Sequence, residues 1–158
     1  MNKGFTLIEL LVVIAIISIM SALILPNLGF SEKQFSVVTS AYKLAQDMRK
    51  VQEMGMSSME FGSSIPLGGY GIRIISGSNS YILFADVNNN HIYDSNEKID
   101  EVSLDGKAIF QTSATVIFSP PDPTVYGVPI SIVIRDTSDS GLSSKTVNIN
   151  RIGLISVE

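Results

Sequence analysis

A single glutamate, Glu9, interrupts an apolar run near the N-terminus and is the first residue of this sequence whose position implies chemistry. Of the 21 residues from Phe5 to Leu25, 17 are apolar, the exceptions being Thr6, Glu9, Ser18 and Ser21. As a helix rising about 1.5 Å per residue the run is roughly 31 Å long, the thickness of a bilayer's hydrocarbon core. A carboxylate there costs on the order of 2.5–3.5 kcal/mol, so it calls for a partner and a purpose. Lys3 is the only basic residue near the run before Lys33, and the positive-inside rule then keeps the short N-terminus cytoplasmic and puts everything after Leu25 outside. Two plainer readings compete, a cleaved secretory signal and an ordinary single-pass anchor. The run exceeds the roughly 7–15 apolar residues of a signal peptide, and Met20 fills the outer small position of the site Met20-Ser21-Ala22. Glu9 is what argues against a plain anchor.

A second constellation lies between Asp86 and Asp105, which hold six of the 15 acids, with Lys98 the only base. From Asp86 to Glu97 the order is Asp-Val-Asn-Asn-Asn-His-Ile-Tyr-Asp-Ser-Asn-Glu. Oxygen side chains fall at loop positions 1, 3, 5, 9 and 12, the ligand spacing of a calcium loop of the EF-hand or dockerin type. The donors are the side chains of Asp86, Asn88, Asn90, Asp94 and Glu97, with the backbone carbonyl of Ile92 at position 7. Hard oxygen donors with three carboxylates suit Ca²⁺ rather than a transition metal. Position 6, ordinarily glycine in a left-handed turn, is His91, a residue that tolerates that conformation better than most. The alternative is an Asn/Asp-rich turn held by side chain to backbone bonds, with no metal. His91, the only histidine, reads as a loop residue.

The segment Lys3-Gly4-Phe5-Thr6-Leu7-Ile8-Glu9-Leu10, ahead of an unbroken apolar run, resembles the signal of type IV pilins and type II secretion pseudopilins. The resemblance implies a prepilin peptidase that cuts after Gly4 and an N-methylated Phe5 as the first mature residue. It implies that the apolar run stays in the product, and that Glu9 pairs with the Phe5 ammonium of a neighbouring subunit as the fibre grows. Burying the two opposite charges together removes the penalty each would carry alone. A looser likeness to minor pseudopilins of the GspH/FimT type covers Leu44 to Gln52.

These residues need elements to hold them. Pro26 follows the apolar run, and a proline in a helix interior removes one hydrogen bond and clashes with the preceding turn, so a kink or break is expected there. Ser31, with Gln34 three residues on, reads as a fresh cap. Val37, Ala41, Leu44, Met48, Val51 and Met54 then recur at helical spacing, and the helix is expected to run from Phe5 to about Ser58, weakened at Gly55. From Tyr70 the chain reads as strands: 70–75, 80–85, 114–118, 130–135, 145–150 and 153–157, with Pro120-Pro121-Asp122-Pro123 forcing a loop. The expected fold class is α+β, a long N-terminal helix kinked near Pro26 and packed on an antiparallel β-sheet, as in pilins. The domains are then a leader over 1–4, a transmembrane and assembly half-helix over 5–29, and an extracytoplasmic domain over 30–158.

Composition narrows the function. The net charge of −4 and the absence of cysteine exclude a general nucleic-acid binder, disulfide frameworks and thiol chemistry. With one histidine and no recognisable nucleophile or phosphate-loop constellation, an exported hydrolase is the weakest reading. The favoured expectation is a non-enzymatic fibre subunit, alone or in a mixed filament. Its partners would be a prepilin peptidase and an inner-membrane assembly platform, and its location the inner membrane as precursor, then an extracellular or periplasmic filament. A membrane-anchored calcium-binding or adhesive module that never polymerises is the alternative.

Overall fold

The computed structural model describes residues 4–119, 125–126, 130–138 and 143–158, with the backbone alone over 24–34. The expected loop at Pro120–Pro123 lies outside the residues so described, and the expected fresh N-cap at Ser31 is not formed, because the helical backbone runs through that residue. Two compact units divide the chain, Met1–Glu32 and Lys33–Glu158.

Among the described residues one α-helix, α1, runs from Leu7 to Met56, and a short 3-10 turn spans Ser95–Glu97. The expected break at Pro26 is not present, for the helical backbone continues through that residue. Proline removes only its own N–H from the ladder, which a helix of many turns absorbs. In the second unit, α1 buries the stripe Val37, Ala41, Leu44, Ala45, Met48 and Val51. Gly55 is required by contact: a β-carbon there would lie 2.7 Å from the Phe118 carbonyl oxygen, so the helix can approach the strand only without a side chain.

Nine strands follow among the described residues: β1 (Gly69–Ile74), β2 (Ser80–Asp86), β3 (Lys98–Ser103), β4 (Ala108–Phe110), β5 (Ala114–Phe118), β6 (Val125–Tyr126), β7 (Ile130–Asp136), β8 (Ser144–Ile149) and β9 (Ile155–Val157). They form two antiparallel sheets among the described residues, β3-β2-β1-β5-β6 and β4-β7-β8-β9. The six strands expected from the sequence are all present, and the fold is α+β as expected. The sequence reading put one sheet where there are two, and it missed β3, β4 and β6. β3 is an edge strand with the burial of a solvated surface, Lys98, Asp100 and Glu101 being exposed, so it lacks the apolar alternation that marks a strand. β4 and β6 are too short to show a period.

Residues of α1 and of both sheets share one core, including Tyr70, Ile72, Tyr81, Phe110, Phe118, Ile132, Ile134 and Val147. Polar ties fix the helix on it. Ser36 Oγ donates to the Asp105 carbonyl (2.6 Å), Asp105 N–H donates to Ser40 Oγ (3.0 Å), and Tyr81 Oη donates to Asp47 Oδ2 (2.5 Å). At the far end Gln52 Nε2 donates to the Gly153 carbonyl at 3.2 Å.

Candidate functional site

In the first unit, every large apolar side chain described from Phe5 to Leu23 is exposed, Phe5 at 87% and Leu23 at 72%. A helix apolar all round has no face for water and must be covered by lipid or by other protein. Among the described residues no helix is long and apolar enough to cross a membrane. The described side chains of this run stop at Leu23, whereas the apolar sequence continues to Leu25.

Glu9 is not alone at the head of this run. Thr6 N–H donates to Glu9 Oε2 at 3.1 Å and Thr6 Oγ1 donates to the same oxygen at 2.9 Å. Glu9 N–H donates back to Thr6 Oγ1 at 3.3 Å. That is a capping box, with Thr6 as the cap residue and Glu9 at the third helical position, and it satisfies backbone donors that the first turn of a helix leaves open. Glu9 Oε1 takes no hydrogen bond among the described residues. Ser18, another polar residue of the run, closes on its own helix through Oγ to the Ile14 carbonyl at 2.8 Å. Gly4 and Phe5 precede the helix outside regular structure, two residues and one residue before the cap. The Thr-x-x-Glu spacing was visible in the sequence, and the sequence reading used that signature for Ser31 and overlooked it here.

The acidic loop wraps on itself through its own oxygens. Asp86, fully buried, accepts the Asn90 N–H on Oδ1 (3.1 Å) and the His91 N–H on Oδ2 (3.0 Å), with His91 Nδ1 3.1 Å from Oδ2. Asn88 Oδ1 accepts the Asn90 N–H at 3.0 Å, and Asn90 Oδ1 accepts the Ile92 N–H at 2.8 Å. The amide groups of Asn88 and Asn90 donate to Asp94 Oδ2 at 2.8 and 3.0 Å. Glu97, also fully buried, takes the Val87 N–H on one oxygen (3.0 Å) and the Asp94 N–H on the other (3.1 Å). His91 adopts φ 61°, the left-handed turn that position 6 of a calcium loop demands, and Asn89 adopts φ 58°. Among the described residues no group of three or more His, Cys, Asp or Glu side chains is gathered as a metal site. The three carboxylates are thus held in one loop but engaged with N–H groups.

What holds this loop in place was not anticipated. On β1, Tyr70, Ile72 and Ile74 alternate into the core, which leaves Gly71 and Arg73 on the other face. Gly71 stands between Phe84 and Ile117 in register, and a β-carbon on it would meet the Phe84 ring at 2.6 Å. Phe84 and Ile117 are buried yet belong to no part of the main core, and the Tyr93 ring of the loop packs against Phe84. The Tyr93 ring meets Phe84 edge-on at 5.6 Å, the His91 ring lies 4.4 Å from that of Tyr126, and the Arg73 guanidinium sits 5.3 Å from the Tyr93 centroid. The sequence held the aromatic residues but no signal that they would meet across a sheet face.

Residues 1–25 match the family model described as the prokaryotic N-terminal methylation motif. The N-terminus of this chain carries that methylation motif. A stretch of 53 residues is 53% identical to the type IV wide pilus major component PilA4 of Thermus thermophilus, covering 33% of this chain and 39% of that protein. The chain thus matches about two fifths of the length of that curated relative. No solved structure matches the chain. The matched motif contains Glu9, the residue that the Thr6 cap holds.

Proposed function

We propose that this chain is a structural subunit of a type IV pilus, or of a type II secretion pseudopilus, and not an enzyme. It enters the membrane as a prepilin with its N-terminus cytoplasmic and is cut between Gly4 and Phe5. Phe5 is then N-methylated, and the subunit polymerises through the first half of α1. Residues 1–4 are the leader, 5–29 the membrane and assembly segment, and 30–158 the extracytoplasmic domain. The prepilin peptidase and an inner-membrane assembly platform are its processing partners, and neighbouring pilins its partners in the filament.

The observation that carries this reading is the position of Glu9 at the head of an apolar run exposed on all sides. Its Oε2 is engaged by Thr6, while Oε1 accepts no hydrogen bond among the described residues. Cleavage after Gly4 creates an α-ammonium on Phe5, the residue next to the cap. Joining Oε1 of one subunit to the Phe5 ammonium of the next neutralises both charges without dismantling the capping box. The prepilin signal and the likeness to a wide pilus component support the same reading. Replacing Glu9 by valine tests it: membrane insertion should persist and filaments should be lost.

Calcium in the Asp86–Glu97 loop is a second part of the proposal. The donors would be Asp86, Asn88, Asn90, Asp94, Glu97 and the Ile92 carbonyl, and the left-handed backbone at His91 favours it. A carboxylate or amide oxygen that accepts one N–H keeps a further lone pair for a cation. The ion would supply the cross-link that a domain without cysteine lacks.

A further inference from the structure

We propose that the groove beside Arg73 binds a hydroxylated carboxylate, a sugar acid of the uronic type being the simplest member of that class. The groove, of about 380 Å³, runs along the paired ends of β1 and β5 and is lined by Arg73, Ile74, Ile75, Ser113, Ala114 and Thr115. Its position follows from the register: Arg73 stands directly opposite Thr115 on one side and Ile82 on the other.

Three features make it suited to such a ligand. First, the cation is oriented and has no acceptor. The Arg73 guanidinium lies 5.3 Å from the centroid of Tyr93, whose ring is braced edge-on by the buried Phe84. The half-buried Arg73 makes no hydrogen bond or ion pair among the described residues, whereas Lys98 reaches Glu101 at 2.7 Å, and Lys43 and Arg49 reach backbone carbonyls. A guanidinium offers five N–H donors in a planar fork that matches a carboxylate in bidentate geometry, and pinning it against a ring reduces the freedom lost on binding. Second, hydroxyl groups flank it. Ser113 Oγ already accepts the Ser76 N–H at 2.9 Å, which fixes the oxygen and leaves its own proton to donate, and the exposed Thr115 hydroxyl lies across from Arg73. Third, Ile75 is 49% exposed and gives the groove an apolar wall for the carbon face of a ring. A simple inorganic anion would use the fork alone; a sugar acid uses all three.

The full-length chain in detergent micelles is titrated with glucuronate, with glucose as the neutral control, following amide shifts at Ala114 and Thr115. Glucuronate should bind in the millimolar range with shifts at those residues, and glucose should produce none. Arg73→Gln should weaken binding by about tenfold or more, as expected from loss of a charge-assisted bidentate pair. Arg73→Lys, which keeps the charge and loses the fork, should also weaken it, and it guards against a fold effect at this position. Polygalacturonate competing for the same shifts would assign the groove to units within a polymer, and competition by the monosaccharide alone would assign it to free acids. Absence of glucuronate binding, unchanged affinity in Arg73→Gln, or equal shifts with glucose would overturn the proposal.

Discussion

Thr6 and Glu9 close a reciprocal capping box at the start of α1, the threonine giving Glu9 Oε2 both its N–H (3.1 Å) and its hydroxyl (2.9 Å). The acid that the sequence presents as an unsupported charge in an apolar run is therefore a part of the helix terminus. A negative charge near a helix N-terminus is also favoured by the helix dipole. Position, cap and charge agree, and the remaining carboxylate oxygen accepts no hydrogen bond among the described residues.

Removing the cap should be measurable without any filament. Loss of an N-cap threonine costs about 1 kcal/mol, roughly a fivefold change in local opening. In micelles, Thr6→Val should speed amide exchange in the first turn of α1 by about that factor, and Thr6→Ser should not. Exchange at the wild-type rate in Thr6→Val would show that the box does not hold Glu9.

Gly71 allows the Phe84 ring to lie across β1, since a β-carbon would come within 2.6 Å of the ring and 2.8 Å of the Val116 carbonyl oxygen. Gly71→Ala should destabilise the domain by about 1–3 kcal/mol, the usual range for overpacking, in urea unfolding of the full chain in micelles. Tyr93 fluorescence should change as well, because its ring rests on Phe84. Unaltered stability would mean that the sheet face is not packed as described.

Two buried phenols set the response to alkali. Burial pushes Tyr81 well above its ordinary value near 10.0, reinforced by its hydrogen bond to Asp47, and burial likewise raises Tyr70. Above about pH 10 the unfolded tyrosines release protons that the folded ones retain, so the folded state binds more protons and stability must fall as pH rises. Below the unfolded value neither state has lost a proton, and these groups give no slope. Thermal unfolding between pH 8 and 11 should show a flat region and then a decline; Tyr81→Phe should make the decline shallower.

Calcium should raise the melting temperature of the domain and EDTA should lower it, because an ion that binds only the folded loop stabilises it by mass action. Asp94→Ala should abolish the difference between the two conditions. Identical melting in calcium and EDTA would leave the loop held by its own hydrogen bonds alone.

The parts legible in the sequence were those with a period or a strict spacing. The stripe from Val37 to Val51 and the alternation in 70–75, 80–85 and 130–135 each became the element they suggested, because burial imposes the period directly. β3 was hidden because an exposed edge strand has no apolar period to read. The aromatic contacts of Tyr93 and Tyr126 were hidden for another reason: they depend on which strands become neighbours, a long-range fact with no local signature. The left-handed residue at position 6 of the acidic loop was legible even through the substitution of histidine for glycine. At Glu9 the charge was legible and its partner Thr6, three residues away, was passed over.

Processing at Gly4 and assembly into a filament through Phe5 and Glu9, as proposed, can be read from one preparation. The most direct measurement is mass spectrometry of the N-terminal peptide from purified surface or periplasmic filaments, made with wild-type chain and with Glu9→Val. Filaments should contain a chain that begins at N-methylated Phe5, and the Glu9→Val chain should be present in the membrane but absent from filaments. Filaments containing a chain that retains residues 1–4, or normal incorporation of Glu9→Val, would contradict the proposal.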